Sequence, residues 1–276
     1  MLVGVIGLGT IGIKLVEYLL EKGFKVVAYN WRNLDKKMEK FESNLDKKVK
    51  YEKIGLDAID RIRRNVSFTI SLDDLCDADI IIDASTEKYE IKKNIYISLV
   101  KFKKLPILAC TTSSLDLTKL GSFYVPRLFV GMHFFNPPTK MRLIELAFLP
   151  EVDINVKQAI YQFLKNMDDK KVIEIPPIQG YIVNRLLFQY MNASFKMMER
   201  YNLDCETVDE AMKGGTNMPM GPCELSDYVG NDITLDILSE FYTTFKEDEY
   251  LPSKLLIQKV KNNELGRKTK KGFYNY

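Results

Sequence analysis

The chain has 276 residues, 46% of them hydrophobic and 28% charged, enough for one large or two modest domains at about 100–200 residues each. Its 40 basic and 37 acidic residues leave a net charge of +3, far from the dense basic footprint of nucleic-acid binding, so no nucleic-acid partner is expected. A single histidine, His133, excludes a multi-histidine metal site, and no metal is expected; four cysteines without a CxxC pair suit a reduced, cytoplasmic protein.

The first twenty residues, MLVGVIGLGTIGIKLVEYLL, are apolar, but no cationic segment precedes them, Lys14 and Glu17 interrupt them, and four glycines punctuate them. They therefore read as neither signal peptide nor anchor, and no other segment approaches the ~18 apolar residues of a membrane span. Leu2 to Ile6 reads instead as a buried strand. Gly7-Leu8-Gly9-Thr10-Ile11-Gly12, a GxGxxG, then opens an apolar-periodic helix over Ile13 to Glu21, and Phe24 to Tyr29 reads as a second parallel strand. This arrangement suits a dinucleotide pyrophosphate. The first glycine makes the turn, the second admits the phosphates, the third lets helix pack on strand, and the helix dipole faces the anion. Gly7, Gly9, Thr10, Ile11 and Gly12 are the expected cofactor contacts.

An acid at the end of the second strand bonds the ribose 2′-hydroxyl of NAD and repels a 2′-phosphate. That position is Asn30, with Arg32 two residues on, so NAD and NADP both stay open. Either Asn30 serves the NAD ribose through its amide, or Arg32 pairs with the extra phosphate of NADP. From 33 to 64 a Lys-rich stretch carries Leu34, Met38, Phe41 and Leu45 at helical spacing, with a second helix expected over Leu56 to Arg63: a locally basic two-helix insertion. Further strands are expected over Val66 to Ser71, Ile80 to Asp83, Pro106 to Cys110 and Leu128 to Gly131, with a helix from Tyr89 to Phe102. Such alternation is a doubly wound α/β sheet of Rossmann type. The segments Ala84 to Lys88, Thr111 to Leu115 and Met132 to Pro138 follow the strands and should converge on one crevice.

His133 lies in GMHFFNPPTKMRLIELAFLP, where Pro137 and Pro138 force a turn before a strand carrying Glu145. A carboxylate reaching one ring nitrogen would fix the tautomer and favour the imidazolium, as a general base needs. The chain resembles the L-3-hydroxyacyl-CoA dehydrogenase family, including the 3-hydroxybutyryl-CoA dehydrogenases. The likeness rests on GLGTIG, TSSL at 112–115, HFFNPP with Glu145 twelve residues after His133, GYIVNRLL at 180–187, MGPCELSDYVGND at 220–232, and GRKTKKGFYNY at the end. By that resemblance His133 is the catalytic base and Glu145 its partner, Ser113 the hydroxyl on substrate and nicotinamide, and Asn184 the amide that orients substrate. Glu87, Lys92 and Lys268 match cofactor-contacting positions, and the basic insertion, with Lys47 and Lys48, faces the coenzyme A of an acyl-CoA substrate. Departures from the pattern are Thr111 in place of an asparagine, Gln179 in place of a proline, and Asn30 in place of an acid.

After Val172 to Ile175, the pair Pro176-Pro177 breaks the chain, dividing a dinucleotide-binding domain (1–177) from a smaller all-α domain (178–276). Helices are expected over Tyr181 to Tyr201 and Asp232 to Phe245, with MPMGPCELSDYVG as a turn and Met218, Met220 and Tyr228 as packing residues. By resemblance this domain makes a homodimer and closes over the acyl chain. The residues and the resemblance together predict an NAD(P)-dependent dehydrogenase of short-chain 3-hydroxyacyl-CoA. The alternatives are a CoA-independent hydroxy-acid dehydrogenase of the gulonate dehydrogenase or lambda-crystallin kind, against which the basic insertion argues, and a non-catalytic dinucleotide-binding protein, against which Ser113, His133, Glu145 and Asn184 argue together.

Overall fold

The computed structural model describes residues 1–51 and 55–276; residues 52–54, inside the predicted 33–64 insertion, lie outside the described residues. The chain divides into two units, Met1–Gln179 and Gly180–Tyr276. The first is a sheet of eight strands in the order β3-β2-β1-β4-β5-β6-β7-β8. In chain order its elements are β1 (Leu2–Ile6), α1 (Thr10–Glu21), β2 (Lys25–Tyr29), α2 (Leu34–Lys50), α3 (Leu56–Arg64), β3 (Val66–Thr69), β4 (Ile80–Asp83), α4 (Tyr89–Leu99), β5 (Ile107–Cys110), α5 (Leu117–Gly121), β6 (Phe129–Phe134), β7 (Leu143–Phe148), α6 (Ile154–Lys165) and β8 (Lys171–Ile175). β1 and β4, made largely of Val and Ile, are almost wholly buried, as central parallel strands covered on both faces must be. The chain order reverses between β1 and β4. In a sheet of this kind the ligand crevice opens there, beyond the carboxyl ends of the strands.

Two features depart from the sequence-based expectation. β6 runs on to Phe134 instead of stopping at Gly131, so His133 lies on the strand and not in the loop after it. The reason is pairing: β7 returns antiparallel to β6, and this hairpin extends β6 by matching Met132, His133 and Phe134 to Leu146, Glu145 and Ile144. β8 then adds parallel to β7. The insertion is helical as expected. Phe41 and Leu45 bury one face of α2, Phe41 meets Phe68 of β3 edge-on at 5.3 Å, and Arg63 of α3 donates to Glu42 of α2 at 2.7 and 3.0 Å.

The second unit holds α7 (Tyr181–Tyr201), α8 (Cys205–Thr216), α9 (Pro222–Val229), α10 (Asn231–Phe245) and α11 (Lys254–Lys261) around a core that includes Phe188, Met191, Phe195, Leu238, Phe241 and Leu256. Within 218–230, expected as a turn, Pro222–Val229 form a helix. Pro222 opens it at a position that needs no N–H, and the Asp209 carboxylate of α8 accepts from the amides of Cys223 and Glu224, a cap supplied by another element. Met218 and Tyr228, expected to fill a core or a contact between copies, are 38% and 49% exposed, Tyr228 because α9 turns its other face inward through Cys223 and Ser226. Asp227 fixes the chain's end, accepting from the amides of Phe273 and Tyr274 and the Tyr276 hydroxyl. Among the described residues no helix is long and apolar enough to cross a membrane.

Candidate active site

The glycine turn between β1 and α1 has the geometry an anion requires. Gly7 adopts φ +90°, and a Cβ on it would lie 2.6 Å from the Ser85 backbone; a Cβ on Gly12 would lie 1.8 Å from the Gly7 carbonyl oxygen. Beside Gly9 nothing lies within 4 Å of a Cβ position, which leaves room for a ligand against the backbone. The first intrahelical bond of α1 runs from Ile13 N–H to the Gly9 carbonyl, so the amides of Thr10, Ile11 and Gly12 precede the helix ladder, and the first turn holds no acid to occupy them. These residues fit a dinucleotide pyrophosphate at a helix N-terminus. Asn30 is buried one residue beyond β2: its Oδ1 accepts from Leu8 N–H at 2.9 Å and its Nδ2 donates to the Arg32 carbonyl, which ties the end of β2 to the glycine turn.

Ser113, His133 and Glu145 come together at the carboxyl ends of β5 and β6. His133 and Glu145 are direct register partners across β6 and β7, so a spacing of twelve residues in sequence becomes a cross-strand pair. His133 Nδ1 lies 2.9 Å from Glu145 Oε2, and Ser113 Oγ lies 3.2 Å from His133 Nε2. The imidazole and the carboxylate are 3% and 1% exposed, and the Phe135 ring meets the imidazole edge-on at 4.6 Å. With a carboxylate on Nδ1, that nitrogen carries the proton, and Nε2 presents a lone pair toward Ser113.

Ser113 is held by a loop whose amides converge on Glu87. The Glu87 carboxylate accepts from the Thr112 hydroxyl at 2.8 Å, from Ser114 N–H at 3.1 Å, and from Ser113 N–H. Glu87 therefore positions the serine directly. The two departures near this loop are accommodated: the Thr111 hydroxyl donates to the Asp83 carbonyl at 3.0 Å, and Gln179 Nε2 donates to the Ser114 carbonyl at 2.8 Å. Lys92 is 1% exposed, with its ammonium 2.8 Å from Asp83 and 3.5 Å from the Ser85 hydroxyl, so it underlies the crevice floor and does not project from it. Burial alone would raise the Asp83 carboxyl, but the Lys92 ammonium and hydrogen bonds from Ser85 and Tyr96 hold it below the usual carboxylate range. The same network carries Tyr96, which donates to Asp83 at 2.6 Å and whose hydroxyl oxygen lies 3.2 Å from Cys110 Sγ. Burial pushes the Cys110 thiol up to about 11. Asp83 and Tyr96 escaped sequence reading because an acid inside an apolar strand carries no signal of its partner.

The remaining expected residues lie elsewhere. Lys48 is committed to Glu17 and Glu21 of α1 at 2.8 and 2.6 Å, whereas Lys47 is exposed. Asn184 is buried on α7 of the second unit, and Lys268, also in that unit, pairs with Asp232 at 2.5 Å.

A Rossmann sheet with this glycine turn and a histidine, a carboxylate and a serine gathered at the carboxyl ends of β5 and β6 defines a nicotinamide-dependent oxidoreductase. The 3-hydroxyacyl-CoA dehydrogenase NAD-binding domain matches residues 2–177 and the C-terminal domain of the same family matches 180–276, so the chain belongs to the 3-hydroxyacyl-CoA dehydrogenase family. It is 35% identical over 280 residues to a 3-hydroxybutyryl-CoA dehydrogenase of Clostridioides difficile, covering 100% of this chain and 99% of that one. Among solved structures it is similar to the (S)-3-hydroxybutyryl-CoA dehydrogenase PaaH1 of Ralstonia eutropha (TM-score 0.92, 32% identity, 100% and 98% covered). FadB2 of M. tuberculosis is also similar (TM-score 0.94, 30% identity, 99% and 98% covered).

Proposed function

We propose that the chain interconverts (S)-3-hydroxyacyl-CoA and 3-oxoacyl-CoA of short acyl chain, with His133 as acid and base, Glu145 as its partner and Ser113 on the substrate oxygen. The observation that carries this reading is the line from Ser113 Oγ through His133 to Glu145, at 3.2 and 2.9 Å, buried at the carboxyl end of the sheet beside an open glycine turn. When bound, a nicotinamide takes hydride from C3 in oxidation and returns it in reduction. His133 Nε2 removes the 3-hydroxyl proton in the first direction and gives it back in the second, and Ser113 fixes the oxygen that carries it. Glu145 stabilises the imidazolium formed in between. Glu87 keeps Ser113 in reach of Nε2. Asn184 and Lys268 enter on the family resemblance alone.

The short acyl chain follows the relatives, which are named 3-hydroxybutyryl-CoA dehydrogenases. Of the two lysines expected on coenzyme A, Lys47 is exposed and Lys48 is spent on α1, so Lys47 is the one offered to its phosphates. The four thiols are free, which suits the cytoplasm. A homodimer through the second unit is supported by an apolar cleft of about 330 Å³ between α7 and α8, lined by Tyr190, Ala193, Met197, Leu203, Val208 and Met212, with Met197 51% exposed at its rim. Met197→Glu should halve the particle mass in sedimentation; an unchanged mass contradicts this interface.

The test of function follows loss of reduced-nicotinamide absorbance with acetoacetyl-CoA and, separately, with free acetoacetate. Turnover of the thioester and not of the acid is expected. Turnover of the acid alone, or of neither, refutes the reading.

A further inference from the structure

The end of β2 departs from what NAD alone requires, and its surroundings carry a second signal. Asn30 is neutral and buried, and its bonds to Leu8 N–H and the Arg32 carbonyl fix the 30–32 turn against the glycine turn. Trp31 and Arg32 project outward from that turn. Trp31 is 55% exposed, and the Arg32 guanidinium lies over its ring, 3.8 Å from the centroid. Stacking fixes the guanidinium plane through one face and leaves the N–H edge and the opposite face open, the arrangement that binds a phosphate by its edge. Among the described residues Arg32 forms no ion pair, although the chain carries 37 acidic residues.

We propose that Asn30, Trp31 and Arg32 form a site for the 2′-phosphate of NADP(H), so that this chain binds the phosphorylated cofactor in preference to NAD(H). The proposal rests on the dinucleotide-binding reading of the glycine turn and not on the acyl substrate. An acid at position 30 would repel a 2′-phosphate; the amide here does not, and it holds in place the turn that presents the cation. Arg32 supplies charge-assisted hydrogen bonds to the phosphate oxygens.

Trp31 is the only tryptophan of the chain, so its fluorescence reports on this site alone. The intact protein is titrated with 2′,5′-ADP and with 5′-ADP, which lacks the 2′-phosphate, by Trp31 fluorescence and in parallel by calorimetry. We expect the 2′-phosphorylated ligand to bind at least ~10-fold tighter, the scale of one or two charge-assisted hydrogen bonds. Arg32→Ala should abolish the difference, and Asn30→Asp should reverse it. In turnover, the NADPH-to-NADH ratio of kcat/KM should fall by roughly 10- to 100-fold in Arg32→Ala. Equal affinities in the unaltered chain, or a preference that survives Arg32→Ala, overturns the proposal. Because the titration needs no acyl-CoA, its failure leaves the proposed reaction standing, and an absence of acetoacetyl-CoA turnover leaves the titration readable.

Discussion

Glu145 and Ser113 divide the two nitrogens of His133 between them, and the division decides what each side chain contributes. Glu145→Gln keeps a hydrogen-bonding group on Nδ1 but removes the charge opposite the imidazolium. We expect kcat to fall ~10-fold or more with little change in cofactor affinity, and steady-state kinetics with a fluorescence titration separate the two. At the same scale, Glu87 acts through Ser113: Glu87→Gln replaces a carboxylate that accepts three hydrogen bonds with an amide whose NH₂ end cannot accept. It should lower kcat by about 10-fold, the scale of a hydrogen bond to a charged group, while Glu87→Asp recovers part of the loss. Equal losses in both variants would show that side-chain length, not charge, matters there. Residues of this kind were legible unequally. His133 stood out because it is the only histidine, and Glu145 because of its spacing in a motif, whereas the bonds by which Glu87 holds the Ser113 loop carried no sequence signal.

At the scale of elements, the register of β6 and β7 sets His133 against Glu145. The sequence expectation ended β6 at Gly131, since proline-bounded HFFNPP looks like a loop. Antiparallel pairing overrides that local signal and carries His133 onto the strand. The same limit applies to α9, where the stabilising cap comes from Asp209, thirteen residues before Pro222 begins the helix. The glycine turn, by contrast, was readable, because at Gly7 and Gly12 the neighbouring backbone leaves no room for a Cβ. A Gly12→Ala chain should therefore lose dinucleotide binding by calorimetry, since its methyl group would overlap the Gly7 carbonyl, and normal binding by that variant would refute the packing role.

At the scale of the whole molecule, the buried Asp83–Lys92 pair sets a pH window for the first unit. Asp83 is held below its ordinary value of about 3.9, so the stability it contributes is present above that pH and lost as pH falls through the folded-state value. Asp83, paired on Lys92, pulls the Lys92 ammonium the other way, above its usual value despite burial, so its contribution is kept up to about pH 10 and lost only beyond. Thermal melts should be flat between about pH 5 and 9 and fall in stronger acid. Lys92→Met strands a buried carboxylate and should cost about 3–5 kcal/mol, and adding Asp83→Asn should recover much of it. A single variant within about 1 kcal/mol of the unaltered chain would contradict that account.

The central claim, that His133 carries the proton in a 3-hydroxyacyl-CoA dehydrogenase, is tested most directly by His133→Gln. Its rate of reduced-nicotinamide oxidation with acetoacetyl-CoA is measured alongside cofactor binding at Trp31. The account predicts unaltered binding and a rate lower by ~100-fold or more. A rate within a few-fold of the unaltered chain would contradict it.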